Sequence, residues 1–306
     1  MAIRERSSHR RGAPTSPVAQ RKPGLLDESG RQPIPSSPPP QARKSWGRLR
    51  ATLGGFAAMH DWRARLDLLG IKLGSRLRRS KAEPVGLRMR ELGGRQLYVR
   101  PGTADMNTIV LDYVRGTHLP PAEFLDRDLG QICELGSQIG TGLAGLAARY
   151  PRAHLLGVEP DPENAALALR NVRAFGSRCR VVEAAIWDTE TELAIEGSWV
   201  SGYTVRPSRS DDPPGRRVQG TTVDRVLSEH MPEGDIDYMI MSLEGTEPRV
   251  LAAASDWAPR VASIRCATLP SKGFRGEYAV RLLRGLGFDA WWEPNPGVGW
   301  AFGIRR

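Results

Sequence analysis

Short apolar runs alternate with longer amphipathic segments from about residue 85 to the end of the chain. Short runs bounded by turn residues are typical of buried strands, and apolar residues spaced three and four apart are typical of helices. Strands that alternate with helices predict a parallel sheet covered by helices on both faces. The predicted strands are 131–135, 154–158, 180–183, 237–243 and 261–267, and the predicted helices are 141–150, 162–175, one that starts at 222, 248–254 and 278–286.

Two further apolar runs, 288–292 and 299–304, follow the last predicted helix with no helix between them. Such a pair predicts an antiparallel hairpin at the C-terminal end of the sheet. Residues 191–220 interrupt the alternation, and we interpret them as an insertion that holds Trp199 and Tyr203.

The first 84 residues differ from the rest of the chain. Residues 1–45 are rich in Pro, Ser, Gln and Arg, so they cannot bury enough apolar surface to offset the entropy of ordering, and we expect disorder. Residues 46–84 place apolar side chains, among them Trp46, Leu53 and Trp62, at three- and four-residue steps with Arg and Lys between them. This pattern predicts a basic amphipathic helical extension, ahead of a folded domain over 85–306.

The extension has three interpretations: a helical cap on the folded domain, a weak peripheral contact of residues 46–80 with an anionic membrane, and an RNA contact. We favour the cap, because basic helix faces are most often simply solvated. No apolar run approaches the roughly 20 residues that a spanning helix needs, and the N-terminus lacks the apolar core of a signal peptide. We therefore expect a cytoplasmic protein.

The net charge of +10 is distributed unevenly. Residues 1–90 carry 20 Lys and Arg against 6 Asp and Glu, whereas residues 91–306 carry 24 against 28. The folded domain is therefore mildly acidic, which argues against a nucleic-acid groove within it. The cysteines at 133, 179 and 266 lie in apolar runs without metal-ligand spacing, so we predict buried reduced thiols and no metal site.

The candidate chemistry lies in ICELGSQIGTGLAGLAARYPRAHLLGVEPDPEN, residues 132–164. Glu134 precedes a turn with the spacing G-x-x-x-G-x-G, which differs from the G-x-G-x-x-G of nicotinamide and flavin binders. An acid before the first glycine suits a pyrophosphate poorly, because like charges would meet. It suits S-adenosylmethionine, which carries an ammonium and a sulfonium and no phosphate. We expect the glycines to let the backbone approach this ligand, although such turns also serve only to pack a helix against a strand.

Further signals follow the next two strands. Glu159 ends the second strand, where a carboxylate accepts hydrogen bonds from both ribose hydroxyls. The third strand is followed by the run AAIWD, residues 184–188. Here we expect Ala185 at the cofactor, Ile186 or Trp187 over the face of the adenine, and Asp188 as an acceptor for its amine. Ligands of open α/β sheets bind beyond the carboxyl ends of the strands, so these signals would meet at one site.

These motifs resemble the FkbM family of S-adenosylmethionine-dependent methyltransferases, over about residues 98–267. The resemblance implies an α/β, Rossmann-like class I methyltransferase fold with a mostly parallel seven-stranded sheet, a C-terminal antiparallel hairpin and, here, a helical N-terminal extension. It also implies an acceptor hydroxyl on a sugar or natural product and a cofactor site lined by Glu134, Gly136, Ser137, Gly140, Glu159 and Asp188. The segments that carry it are YVRPGTADMNTIV (98–110), ELGSQIG (134–140), YPRAHLLGVEPDPEN (150–164), AAIWD (184–188), TTVDRVL (221–227) and LEGTEPRVL (243–251).

The sequence departs from the family on the acceptor side. After the fourth strand the family usually reads lysine, apolar, aspartate, apolar, Glu-Gly, whereas Ile240 and Ser242 occupy the lysine and aspartate positions here. Three functions stay open. We favour methyl transfer to an oxygen of a small molecule or sugar, over a catalytically impaired cofactor-binding or scaffold protein and over a nucleic-acid methyltransferase recruited by the basic N-terminus.

Two residues are candidates for the base that an alcohol acceptor needs. Glu244 is the remaining carboxylate at a strand end, although an acid there also suits the start of the next helix. His118, in RGTHLP, is the histidine that we expect to fold over the site. The sequence names neither the acceptor nor the oligomeric state.

Overall fold

The computed structural model describes residues 54–74, 83–198, 202–294 and 298–306. Some of the predictions concern residues outside these ranges. They are the predictions for the tail 1–45, for Trp46, Leu53 and other parts of the 46–84 extension, and for Trp199. In chain order the elements are α1 (Trp62–Gly74), β1 (Val85–Arg88), β2 (Gln96–Val99), α2 (Asp105–Arg115), α3 (Ala122–Leu125), β3 (Gln131–Leu135), α4 (Thr141–Arg149), β4 (His154–Glu159), α5 (Pro162–Val172), β5 (Cys179–Glu183), β6 (Ala185–Ile186), β7 (Thr191–Ser198), β8 (Gly202–Pro207), β9 (Arg217–Thr221), α6 (Val223–His230), β10 (Tyr238–Met241), α7 (Glu247–Ala252), β11 (Ser263–Thr268), α8 (Gly276–Gly285), β12 (Asp289–Glu293) and β13 (Gly299–Ile304).

Seven strands form the central sheet in the order β12-β13-β11-β10-β3-β4-β5. The four pairings from β11 to β5 are parallel, and β13 pairs antiparallel with both β11 and β12. This arrangement confirms the predicted fold class. The order of the strands reverses between β3 and β10, which makes their carboxyl ends the place where a ligand is expected.

Both faces of the sheet are buried, and this explains the uninterrupted apolar runs in the sequence. Ile132 and Ile240 belong to a core that includes residues of α1, α2, α4 and α5. Cys133 and Met241, the next residues along the same strands, belong to a second core that includes residues of α6, α7 and α8. Successive strand residues therefore alternate between two helical layers.

The described part of the extension packs against an antiparallel hairpin formed by β1 and β2. Met59 makes an isolated bridge with Met89, and Ala64 and Leu68 of α1 are buried in the same core. Within the described ranges, the structure contains no helix with the length and apolar composition that crossing a membrane requires.

A second sheet of four strands, in the order β6-β9-β7-β8, was not predicted. Its strands β7, β8 and most of β9 lie in the region 191–220 that was interpreted as an insertion. Leu193, Ile195 and Val218 form its small core with Trp187. Its outer strand β8 brings Tyr203 to the carboxyl edge of the main sheet, so this small sheet contributes a wall of the candidate site.

Candidate active site

A cleft with an empty volume of about 780 Å³ lies at the carboxyl ends of β3, β4 and β10. The glycine turn after β3 forms one wall and the turn 242–246 after β10 forms another. The cleft therefore lies at the point where the strand order reverses.

A second cavity, with an empty volume of about 500 Å³, adjoins this cleft. The two share Gly136, Gln138 and Ser242 in their walls, so they meet at the glycine turn. The second cavity is also lined by Glu134 and His118. The site thus consists of two adjoining compartments, here called the cleft and the second cavity.

Glu159 lies in the wall of the cleft and is only 3% exposed. Its Oε1 accepts hydrogen bonds from the Asp161 amide at 3.1 Å and from the Asn164 side chain at 3.2 Å, and its Oε2 accepts one from the Gln138 amide at 2.9 Å. Burial raises the pKa of Glu159 to about 7, while these donors act to lower it. The carboxylate therefore retains acceptor capacity that faces the cleft.

Glu134 lines the second cavity and not the cleft itself. Its Oε2 is buried without a hydrogen-bond partner among the described residues, and so is the hydroxyl of Ser137. Burial raises the pKa of Glu134 well above its usual value, and the nearby charge of Asp112 adds to this effect. The two acids predicted to flank the cofactor thus line adjoining compartments, one acid in each.

The glycines of the turn serve packing within the chain. Gly136 has a φ of 86°, and a Cβ there would lie 2.0 Å from the carbonyl oxygen of Ser242. Gly140 has a φ of 73°, and a Cβ there would lie 3.0 Å from the Cα of Ala168. Gly136 also lines both compartments, whereas Gly140 is not among the described residues that line either. The simpler explanation of the turn, close packing of helix on strand, therefore accounts for Gly140.

Only part of the run 184–188, which follows β5, lines the cleft. Ala185 and Ile186 line it and are buried. Asp188 is instead paired with Arg249, at 2.5 Å between Oδ2 and Nη1, and the guanidinium of Arg249 lies 4.7 Å from the ring centre of Trp187. Neither Asp188 nor Trp187 is among the described residues that line the cleft.

Glu244 lines the cleft and has an unusual backbone, with a φ of 54°. Its carbonyl oxygen accepts hydrogen bonds from Lys272 Nζ and from the Thr204 hydroxyl, and its Oε2 lies 3.7 Å from Lys272 Nζ. On either side of it, the buried carboxylate of Glu247 accepts hydrogen bonds from the amides of Leu243 and Gly245, each at 2.8 Å. The turn is therefore held at three successive residues.

His118, the other candidate base, lines the second cavity. Its Nδ1 is buried and lacks a hydrogen-bond partner in the described part of the chain. Burial lowers the pKa of His118, so the neutral imidazole is favoured. The linings place His118 and Glu244 in different compartments, so the structure does not bring the two candidate bases together.

Sequence reasoning missed a buried polar group at the edge of the cleft. Arg100 donates hydrogen bonds to both Asp105 and Asn164, and all three residues line the cleft. The segment YVRPGTADMNTIV, residues 98–110, contains Arg100 and Asp105 and could have indicated this group. It was used only as part of the resemblance to the FkbM family. Ile240 and Ser242, the departures from the family pattern, both line the second cavity.

The residues present fit S-adenosylmethionine. The cleft offers a buried acceptor, Glu159, to a ribose, and an apolar surface at Ala185 and Ile186 to a flat ring. The second cavity offers the unpaired oxygens of Glu134 and Ser137 to an ammonium group. Buried carboxyl groups with spare acceptor capacity match a cationic ligand that lacks phosphate.

The family model described as "Methyltransferase FkbM domain" matches residues 136–288, which is half of the 306-residue chain. No curated protein matches the sequence significantly.

The chain is similar to several solved structures at low identity. One is an O-methyltransferase family protein from Burkholderia thailandensis, with 12% identity, 66% of this chain and 57% of that chain covered, and a TM-score of 0.41. A second is precorrin-6y C5,15-methyltransferase from Geobacter metallireducens GS-15, with 11% identity, coverages of 64% and 88%, and a TM-score of 0.40. A third is the N-terminal domain of human METTL16 in complex with SAH, with 15% identity, coverages of 64% and 70%, and a TM-score of 0.39. Because the family match spans half of the sequence, the chain belongs to the FkbM methyltransferase family and is an enzyme that takes its methyl group from S-adenosylmethionine.

Proposed function

We propose that this methyltransferase acts on a hydroxyl oxygen of a small molecule or sugar that enters the cleft beside Glu244. The observation that carries the proposal is the backbone of Glu244, a residue other than glycine held at a φ of 54° in the wall of the cleft. Such a conformation costs on the order of 1–3 kcal/mol and persists where the surroundings over-determine it, most often at functional sites. Here the backbone of the turn is constrained by hydrogen bonds from Lys272 and Thr204 and by hydrogen bonds to the carboxylate of Glu247.

On the cofactor side, Glu159 would accept hydrogen bonds from the ribose hydroxyls, and Ala185 and Ile186 would lie against the adenine. Glu134 and Ser137 would face the amino-acid end in the second cavity. When bound, S-adenosylmethionine supplies an electrophilic methyl group on a sulfonium centre. The protein contributes alignment of the acceptor oxygen with that methyl group, which is worth roughly 7–11 kcal/mol of the barrier in well-oriented reactions.

On the acceptor side, Glu244 would accept the proton of the hydroxyl as its oxygen bonds to the methyl carbon. A placed base contributes roughly 10²–10⁴-fold to such a step. Tyr203 and Thr204 of β8 line the same cleft. The Thr204 hydroxyl donates to the Glu244 carbonyl, and Tyr203 offers an aromatic surface to the acceptor. The acids Glu159, Glu244 and Asp105 in the same cleft disfavour a polyanionic acceptor such as nucleic acid.

A weak contact with an anionic membrane is the second partner that we propose. The helix α1 exposes Trp62, Leu66 and Leu69 on one face, with exposed fractions of 63%, 55% and 40%. Arg63 and Arg65 lie beside this stripe and are exposed as well. An apolar stripe with basic neighbours is the pattern of helices that lie in the membrane interface.

The proposed function is tested by separating cofactor binding from methyl transfer. Glu159→Gln should raise the dissociation constant of S-adenosylmethionine about 10- to 100-fold by calorimetry, since hydrogen bonds to a charged group are worth roughly 1.5–3 kcal/mol. Glu244→Gln should leave that constant unchanged and lower the rate of labelled-methyl transfer to a metabolite panel by roughly 10²–10⁴-fold. Glu183→Gln is the matched control, because Glu183 ends the neighbouring strand β5 in register with Glu159 but is not among the described residues that line the cleft.

Two results would contradict the proposal. One is full transfer by Glu244→Gln, which would remove Glu244 from the reaction. The other is transfer to added RNA or DNA and to no metabolite, which would support the nucleic-acid alternative. Binding without any transfer by the wild type would favour the catalytically impaired alternative instead.

A further inference from the structure

Four buried side chains connect the start of α2 to Glu159. The guanidinium of Arg100 donates to both carboxylate oxygens of Asp105, at 2.8 Å and 3.0 Å, and its Nη2 donates to Asn164 Oδ1 at 2.5 Å. Asn164 Nδ2 in turn donates to Glu159 Oε1 at 3.2 Å. All four side chains lie at the edge of the cleft, and none is more than 6% exposed.

The direction of these hydrogen bonds is fixed by Arg100. A guanidinium group only donates, so the Asn164 oxygen must face Arg100, and the Asn164 NH₂ group is then left to face Glu159. The reversed amide would place its NH₂ group against the guanidinium and its oxygen against the carboxylate. Both contacts would be repulsive, so the charge of Arg100 sets which end of Asn164 meets Glu159.

We propose that Arg100 is a positioning residue for cofactor binding: anchored by Asp105, it orients Asn164 so that a donor meets the Glu159 carboxylate and aims it at the ribose hydroxyls. The proposal rests on the ribose-binding role proposed for Glu159. Arg100 itself acts through Asn164.

This support matters because Glu159 lies in acidic surroundings. Its burial raises its pKa to about 7, and the hydrogen bond from Asn164 acts in the opposite direction. Among the described residues that face it, only Arg100 is cationic. Several neighbouring elements contribute charged or titratable groups around Glu159. They are Asp161 and Glu163 at the start of α5, Glu183 of β5, Glu134 of β3, Arg100 after β2, Asp105 at the start of α2, Tyr203 of β8, and Glu244 in the turn after β10.

Two substitutions test the proposal from different ends. Arg100→Gln removes the cation that orients the amide. Asn164→Asp keeps the shape of the side chain and the partner of Arg100, but it replaces the donor to Glu159 by a like charge. Asn164→Asp preserves the ion pairing of Arg100 with Asp105. The proposal can therefore be tested with this variant even if Arg100→Gln does not fold. Arg225→Gln is the control, since Arg225 makes comparable ion pairs with Glu190 and Glu229 on the exposed surface.

The first measurement is the titration of the Glu159 carboxyl in the ligand-free protein, followed by carbon NMR. The wild type should titrate near pH 7. Both variants should titrate about one pH unit higher or more, as expected from the loss of a hydrogen bond to a charged group. The control should titrate as the wild type does.

The second measurement is the dissociation constant of S-adenosylmethionine across the neutral pH range. Both variants should bind about tenfold more weakly at neutral pH, which follows from a one-unit rise of the pKa. They should regain affinity at higher pH as Glu159 ionises. A merely structural role for Arg100 predicts weakening by the same factor at every pH, which would overturn the proposal.

The two measurements separate the positioning role from the function on which it rests. An unchanged Glu159 titration in both folded variants would overturn the positioning role, even where Glu159→Gln weakens cofactor binding. A shifted titration, together with wild-type affinity of Glu159→Gln, would instead overturn the ribose-binding role of Glu159 and with it the effect of Arg100 on the cofactor.

Discussion

Gly136 is constrained both by its own backbone and by its neighbour. Its φ of 86° is unfavourable for any residue with a Cβ, and that Cβ would lie 2.0 Å from the carbonyl oxygen of Ser242 on the neighbouring strand end. We therefore expect Gly136→Ala to lower the free energy of unfolding by about 2–5 kcal/mol, as the sum of a left-handed backbone and an overpacked contact. Urea unfolding measures this change.

The control for this prediction is Gly273→Ala. Gly273 also has a left-handed backbone, with a φ of 82°, but within the described residues no atom lies within 4 Å of the Cβ that it would gain. This variant should lose only the backbone component, roughly 1–2 kcal/mol. Equal losses in the two variants would show that the contact with Ser242 contributes nothing and that β3 and β10 can separate freely at the site.

At the level of elements, the strands of the central sheet were the most predictable part of the chain. The runs 131–135 and 299–304 coincide with β3 and β13, because strands buried on both faces are apolar throughout. The strand predicted over 237–243 is shorter in the structure, since the chain turns at 243–245 around the carboxylate of Glu247. The helix predicted over 162–175 ends at Val172 and continues as a 3₁₀ turn, a common way for helices to end.

The small sheet and the polar contacts were not predictable in the same way. Strands β7 and β8 mix apolar, polar and glycine residues, because they cover only one small core. The contacts of Arg100 with Asn164 and of Glu247 with Gly245 depend on how turns fold in space, which residue spacing does not encode. The sequence indicated Glu159 and Glu134 because both sit next to apolar strands whose position it did encode.

The helix α1 carries a prediction at the scale of an element. Its exposed stripe of Trp62, Leu66 and Leu69 should bind vesicles that contain an anionic lipid and not neutral phosphatidylcholine vesicles, and added salt should weaken the binding. The double variant Trp62→Gln, Leu66→Gln should reduce vesicle binding at least about tenfold in sedimentation assays, given the apolar area that it removes. Leu169→Gln is the control, because Leu169 is 54% exposed and belongs to a different helix, α5. Equal binding of the double variant and the wild type would contradict the role of α1, and a change of oligomeric state in the variant would point to a second copy of the chain as the occupant.

At the scale of the whole molecule, three carboxyl groups are buried in or beside the site. Glu159 lines the cleft, Glu134 lines the second cavity, and Glu247 holds the turn after β10. Burial raises the pKa of Glu134, Glu159 and Glu247 above their usual values. An acid whose pKa is higher in the folded state than in the unfolded state favours folding while it is protonated. That contribution is complete below the unfolded pKa and is lost as the pH rises through the folded pKa, so these groups make the ligand-free protein less stable at higher pH.

For Glu159, the pH range over which this loss of stability occurs is defined by its two pKa values. Its pKa rises from 4.5 to about 7 on folding, so the free energy of unfolding should fall between these pH values by about 3 kcal/mol from this group alone. Denaturant unfolding at a series of pH values measures the slope, and Glu159→Gln should remove the part of it that falls in this window, whatever its effect on absolute stability. Saturating S-adenosylmethionine should offset the loss, because a cationic ligand that prefers the ionised acids stabilises the folded state more as the pH rises. A cofactor-induced stabilisation that stays constant from pH 4.5 to about 7, or a wild-type slope retained in Glu159→Gln, would show that this carboxyl group is not the one that couples the fold to its ligand.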